Sequence, residues 1–201
     1  MSNASSWLVT SLDELDRIAA ILGWERCDNV RNPAEIAASG TVDTSGRMFL
    51  FECGRRDWRF AQPKVQAAIS AGTTVYFFTN EEHAMASTAE LWENGQQVWK
   101  VAHESEQGIY HLATLGNLPA AFESIRQRRF EEQEHEGSED ADLDVIIRIP
   151  LDLAQELTGF DDDQLSGFDE EVEPPATEIY LVQRKRPNLL QRVFGRKKET
   201  E

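Results

Sequence analysis

His103 and His111 stand eight residues apart, with Glu104 and Glu106 between them. Folded together by a turn, two imidazoles and two carboxylates could hold a metal ion or supply a general acid and base. Their spacing matches no metal-ligand signature, and ordinary surface or hairpin histidines are the simpler reading. Asp161-Asp162-Asp163 followed by Gln164, Leu165, Ser166 and Gly167 resembles the start of a calcium loop, since clustered carboxylates suit a hard cation. The pattern fails at its fifth and sixth positions, where Leu165 and Ser166 replace a side-chain oxygen and a glycine, which leaves a solvated acidic loop. Arg55, Arg56 and Arg59 surround Trp58, and forked guanidinium groups beside an indole could bind a phosphate or a carboxylate. They could equally receive the chain's own acidic segment, which is always present. Cys27 and Cys53 lack a CxxC arrangement and fit the role of small core hydrophobes; two cysteines alone make no four-ligand zinc site. The sequence contains no GxSxG, P-loop or GxGxxG, so no cofactor or metal is assigned to it.

Charge is distributed very unevenly. Residues 131–173 hold 17 Asp or Glu against one basic residue, Arg148, while the rest of the chain balances at 19 acidic and 19 basic. The net charge of −16 is therefore local, and a block this acidic stays in solvent or meets a basic partner. Nucleic acid is disfavoured, because phosphate binding needs a concentrated basic face. Met1 to Ser6 is polar and uncharged, unlike a secretory signal, and no run approaches the roughly 18 apolar residues of a membrane span. A cytoplasmic protein with reduced thiols is expected.

The elements that would position these residues are partly marked. Ser11 with Glu14 forms a capping box, Leu12, Leu15, Ile18, Ala19 and Leu22 make an apolar helical face, and Gly23 supplies the stop. Asn32-Pro33 opens a shorter helical turn reaching about Ala38. Met48 to Phe51 and Val75 to Phe78 are continuous apolar runs, as in strands covered on both faces, with a helix from Pro63 to about Gly72 between them. If those two strands paired in parallel, the crossover would be right-handed. Asn94-Gly95 predicts a type I′ hairpin. With Glu93 opposite Gln96, the simple register places Trp92, Trp99 and Val101 on one face and Leu91 and Val98 on the other. Ile109 to Leu115 reads as another strand, Pro119 opens a long helix running into the acidic block, and Val145 to Ile149 is β-branched and strand-like. Pro150 to Gly159 brackets a short helix. Asp161 to Pro175 reads as a mobile linker or lid, and Ile179 to Val182 as an edge strand. Arg184 to Lys198 holds seven basic residues around Leu189, Leu190, Val193 and Phe194, a basic tail that could touch an anionic membrane.

Two stretches carry a resemblance: Ala89-Glu-Leu-Trp-Glu-Asn-Gly-Gln-Gln-Val-Trp-Lys-Val-Ala-His103 leading to Gly116-Asn-Leu-Pro119, and Asp144 to Phe160 with its Ile-Pro-Leu-Asp-Leu-Ala and Leu-Thr-Gly-Phe. Over about residues 85–163 the chain resembles a group of small bacterial proteins with no assigned activity. The likeness implies a bacterial, cytoplasmic origin, and its landmarks are a hairpin, a helix start and a helix stop.

The expected fold is α+β, one domain over 1–183 with a basic tail over 184–201 and an acidic segment at 131–173. A mainly antiparallel sheet is expected from about 47–53, 73–79, 87–93, 96–103, 109–115, 143–149 and 178–183, with helices 11–22, 63–71 and 119–134 packed on it. For function, the leading expectation is a non-enzymatic binding protein, immunity- or antitoxin-like. Its acidic residues Glu131, Glu132, Glu134, Glu136, Asp161, Asp162 and Asp163 would meet a basic protein, with Arg55, Arg56, Trp58 and Arg59 as a second binding group. An enzyme built around His103 and His111 is the alternative, and a peripheral membrane scaffold using the basic tail is another.

Overall fold

A computed structural model describes residues 4–27, 35–52, 58–138, 141–160 and 179–183. Among these residues nine antiparallel strands form one sheet: β1 (Ala4–Ser11), β2 (Trp24–Arg26), β3 (Ile36–Val42), β4 (Arg47–Glu52), β5 (Thr74–Glu81), β6 (Ala86–Glu93), β7 (Gln96–Glu104), β8 (Ala113–Gly116) and β9 (Ile179–Gln183). Their order is β2-β9-β3-β4-β1-β5-β6-β7-β8. Four α-helices pack on it: α1 (Leu15–Leu22), α2 (Pro63–Ile69), α3 (Phe122–Glu136) and α4 (Arg148–Thr158). The fold is α+β, as expected.

Alternation along each strand divides the core between the two faces. Leu8, Met48, Leu50, Val75, Phe77 and Trp92 pack with α1 and α2 on the first face. Trp7, Val9, Phe49, Phe51, Phe78, Trp99 and Val101 pack with α3 and α4 on the second. Trp7, Leu8 and Val9 are therefore all buried, which is why β1 sits at the centre of the sheet although its apolar run is only three residues long. No strand is expected over Ala4–Ser11 from the sequence, because a short strand covered on both faces lacks the alternation that reveals a half-buried one.

Several expectations change. β4 and β5 do not pair: β1 lies between them, antiparallel to both, so they run parallel to each other on either side of it with α2 in their connection. The helix expected over 11–22 begins as a 3-10 turn at Leu12–Glu14, with Ser11 accepting from the Asp13 N–H, while Glu14 turns to Arg17 instead of closing a capping box. Ile36 starts β3 where a helical turn was expected, and Asn32, Pro33 and Ala34 lie outside the described residues. β9 is not an edge but lies between β2 and β3.

The hairpin forms with Asn94 at φ 51° and Gly95 at φ 79°, as the type I′ turn requires. Its register slips by one at a bulge, so Leu91 faces Trp99 instead of Val98. Trp92 is thereby sent to the first face while Trp99, Val101, Leu91 and Val98 share the second, which overturns the facial assignment made without the bulge. The strand expected at 143–149 is absent. Backbone groups that a ladder would use are taken by side chains: Val145 N–H donates to Gln133 Oε1 at 2.8 Å, Ile146 N–H to Asp144 Oδ1 at 3.0 Å, and Ile147 C=O accepts from Ser87 Oγ at 2.6 Å. The chain turns instead into α4, whose first turn tolerates Pro150 because no hydrogen bond is lost there.

Candidate functional site

Strand β7 brings His103 fully inside, and the turn after it returns His111 to within 6.3 Å, ring centre to ring centre. His103 Nδ1 meets the His111 carbonyl at 2.7 Å and Nε2 meets Asp144 Oδ2 at 2.9 Å. A carbonyl and a carboxylate are acceptors only, so both bonds are made when each ring nitrogen carries its hydrogen. No nitrogen of His103 is left to approach a substrate. His111 accepts the Glu104 N–H through Nδ1 at 3.1 Å. Burial pushes the Asp144 carboxyl upward, but hydrogen bonds from His103 and Ser105, the His103 charge and the Ile147 N–H outweigh it and hold Asp144 below the ordinary carboxylate range. The two histidines of the sequence reading therefore do converge, with Asp144, and they brace β7 against the start of α4.

A second internal knot lies alongside. Gln133, wholly buried on α3, donates to the Ser138 and Leu143 carbonyls at 3.2 and 3.0 Å besides accepting from Val145. One turn earlier Arg129 grips Asp152 of α4 with both prongs, Nε to Oδ2 at 2.7 Å and a terminal nitrogen to Oδ1 at 2.8 Å, and Arg128 adds a third bond at 2.8 Å. Burial raises the Asp152 carboxyl, yet the bonds and charges of Arg129 and Arg128 bring it below its usual range. Arg129 also pairs with Glu132 at 2.7 Å, which ties that member of the expected acidic surface into the helix itself.

The outer side of α3 is different. Glu123, Ser124, Arg126, Gln127, Phe130, Glu131 and Glu134 line a shallow groove of about 480 Å³. The positions recur every three or four residues and so form one stripe. Phe130 is its half-buried floor, held edge-on by Tyr110 at 5.4 Å. Arg126 lies over the Phe130 ring at 5.8 Å and pairs with Glu123 at 2.7 Å. The Glu131 carboxylate accepts from Gln127 at 2.9 Å, and among the described residues neither Glu131 nor Glu134 has an ion-pair partner. Glu136 ends the helix, exposed.

Trp58 and Arg59 sit at the entry to a 3-10 turn at Arg59–Ala61. The Arg59 guanidinium caps the Leu22 carbonyl at the end of α1 and stacks on Trp24 at 5.7 Å, while the Arg59 backbone N–H donates to Glu52 Oε1 at 2.8 Å. Arg55, Arg56, Asp161, Asp162, Asp163 and the basic tail lie outside the described residues. Among the described residues no group of three His, Cys, Asp or Glu is placed to share a metal ion, and no helix is long and apolar enough to cross a membrane.

No family model, curated protein or solved structure matches the chain. Sequence reasoning missed Asp144, Gln133 and the Arg129–Asp152 pair. For Asp144 a signal existed: an Asp shortly before a helix that carries Pro in its first turn is a capping pattern, masked by the β-branched run between them. For the Arg126–Phe130 contact, the i, i+4 spacing on a predicted helix was sufficient.

Proposed function

We propose that this protein is a non-enzymatic binding protein, of the immunity or antitoxin kind, that presents the outer stripe of α3 to a basic surface on another protein. The observation that carries the reading is the pair of exposed carboxylates, Glu131 and Glu134, flanking an aromatic floor at Phe130. A partner arginine or lysine placed there would find the Glu131 and Glu134 carboxylates for its charge, and for its stem the apolar surface of Phe130 that Arg126 and Tyr110 leave exposed. Rigidity supports it too. The Arg129–Asp152 clasp and the Gln133 bonds fix α3 to α4 from inside, so the outer stripe is held in place before a partner arrives. The excess of acid in residues 131–173 would speed encounter with a basic partner and make binding salt-sensitive. The setting we propose for this binding is the bacterial cytoplasm.

The test is affinity capture from a lysate of the organism that encodes the chain, comparing the intact protein with a Glu123→Gln, Glu131→Gln, Glu134→Gln variant at low and high salt. The reading expects a basic protein held by the intact chain, lost from the variant and released by salt. Equal capture by both forms removes α3 from the interface.

A further inference from the structure

The two edges of the sheet are built differently. β2 is three residues long and two of them are charged, Glu25 and Arg26. β8 is Ala113-Thr-Leu-Gly, all four residues exposed. Around it, from Ile109 to Phe122, there is no Asp, Glu, Lys or Arg, although 28% of the whole chain is charged. Edge strands that stay single are usually guarded by charge, proline or a bulge, because their free N–H and C=O groups are a template for another strand. β8 has no charge, proline or bulge within it and is guarded only by its length of four residues, and Leu115 is 53% exposed.

We propose that β8 is a self-pairing edge: two copies of the chain join antiparallel through it, about a two-fold axis beside Thr114, so that one sheet runs through both. The register follows from the backbone. Gly116 has φ 77°, off the extended conformation, which ends the usable strand at Leu115 and centres the pair on Thr114. Directly opposite residues of antiparallel strands share a face, so Thr114 meets the partner's Thr114 and Leu115 meets the partner's Ala113. On the second face the row then reads Ala89, Val101, Thr114 and onward into the partner's Thr114, Val101 and Ala89, small and β-branched throughout. On the first face it reads Glu90, Lys100, Leu115 and then the partner's Ala113 and Ala102.

Charge is what selects a second copy as the occupant. The excess negative charge is confined to residues 131–173, and from Ile109 to Phe122 there is no acidic or basic side chain, so two copies meet at this seam without bringing a bare charge against its like. The nearest ions, Glu90 and Lys100, are already paired within each copy at 3.1 Å. A pair of short strands buries less than the roughly 1,200 Å² of a stable interface, so the dimer is a weak, reversible one, half-formed at about 10–100 µM.

Sedimentation of the full chain across that concentration range is the test. The expected result is a monomer–dimer equilibrium that Thr114→Lys and Leu115→Lys each weaken by about tenfold or more, since each sets a new charge at the seam. Leu143→Lys, at another exposed leucine, leaves it unchanged. In a Cys27→Ser, Cys53→Ser background, Thr114→Cys crosslinks the dimer on oxidation far more efficiently than Leu115→Cys does. A chain that stays monomeric throughout, or a dimer indifferent to Thr114→Lys, overturns the proposal. Crosslinking that favours residue 115 over 114 overturns the register.

Discussion

The two sides of α3 use the same residue types for opposite ends. On the inner side, Arg129 and Gln133 are buried or nearly so and every polar group they offer is met by Asp152, Glu132 or the backbone of the 138–145 connection. On the outer side, Glu123, Glu131 and Glu134 stand in water around Phe130. A buried charge without a partner is costly, so the interior saturates its ions; an exposed one costs little, so the surface can leave them open to another molecule. The same contrast separates the enzyme reading from the binding reading. The chemistry of His103 that looked available in the sequence is enclosed and used up by the fold, whereas Glu131 and Glu134, which looked like part of a solvated run, fall on one stripe with Phe130.

Breaking the inner side should have the largest effect. Asp144→Ala leaves the buried His103 Nε2 without its acceptor, and His103→Ala takes one donor from Asp144, which keeps Ser105 and the Ile146 N–H; each is expected to cost about 3 kcal/mol in urea unfolding. If either costs less than about 0.5 kcal/mol, the brace is not a stabilising feature. Asp152→Ala should cost less, about 2 kcal/mol, because Arg129 keeps Glu132 and Arg128 is largely in solvent already. Its distinctive sign would be loss of hydrogen-exchange protection in α3 and α4 ahead of the sheet.

Acid should act through the same inner groups. Asp144 and Asp152 have folded pKa values below those of the unfolded chain, so the native state binds fewer protons than the unfolded one. Their contribution is complete at neutral pH and is lost as pH falls through the folded values, so the urea midpoint is expected to hold down to about pH 5 and then decline. An Asp144→Asn, Asp152→Asn variant should start less stable and decline less steeply with acid. An unchanged slope would assign acid sensitivity to other carboxyls.

Much of the framework was legible in the sequence. Helix stops at Gly23 and Gly159, the Asn94-Gly95 turn and the two continuous apolar strands all rest on local backbone preference, and local preference survives into the fold. What was hidden depends on partners remote in sequence. β1 became central only because both faces of the sheet are covered, and Val145 to Ile147 turned away from a strand because Gln133, Asp144 and Ser87 claim their backbone groups. The hairpin bulge at Val98 falls in the same class, since nothing in the residues from Leu91 to Trp99 marks where a ladder will slip. At the site, the acidic stripe could be foreseen from composition and helical spacing, while the Asp144 and Asp152 contacts needed the tertiary structure.

The smallest effect on folding belongs to the outer side, and it is where the binding account is most exposed. Glu123→Gln, Glu131→Gln and Glu134→Gln together should shift stability by no more than about 0.5 kcal/mol, since the three side chains hold nothing inside the fold. The decisive measurement is therefore salt-dependent capture of a basic partner by this variant beside the intact chain, with unfolding curves run on both. The account predicts overlapping unfolding curves and a partner retained by the intact chain alone, at low salt. Overlapping curves with equal retention by both forms would contradict it.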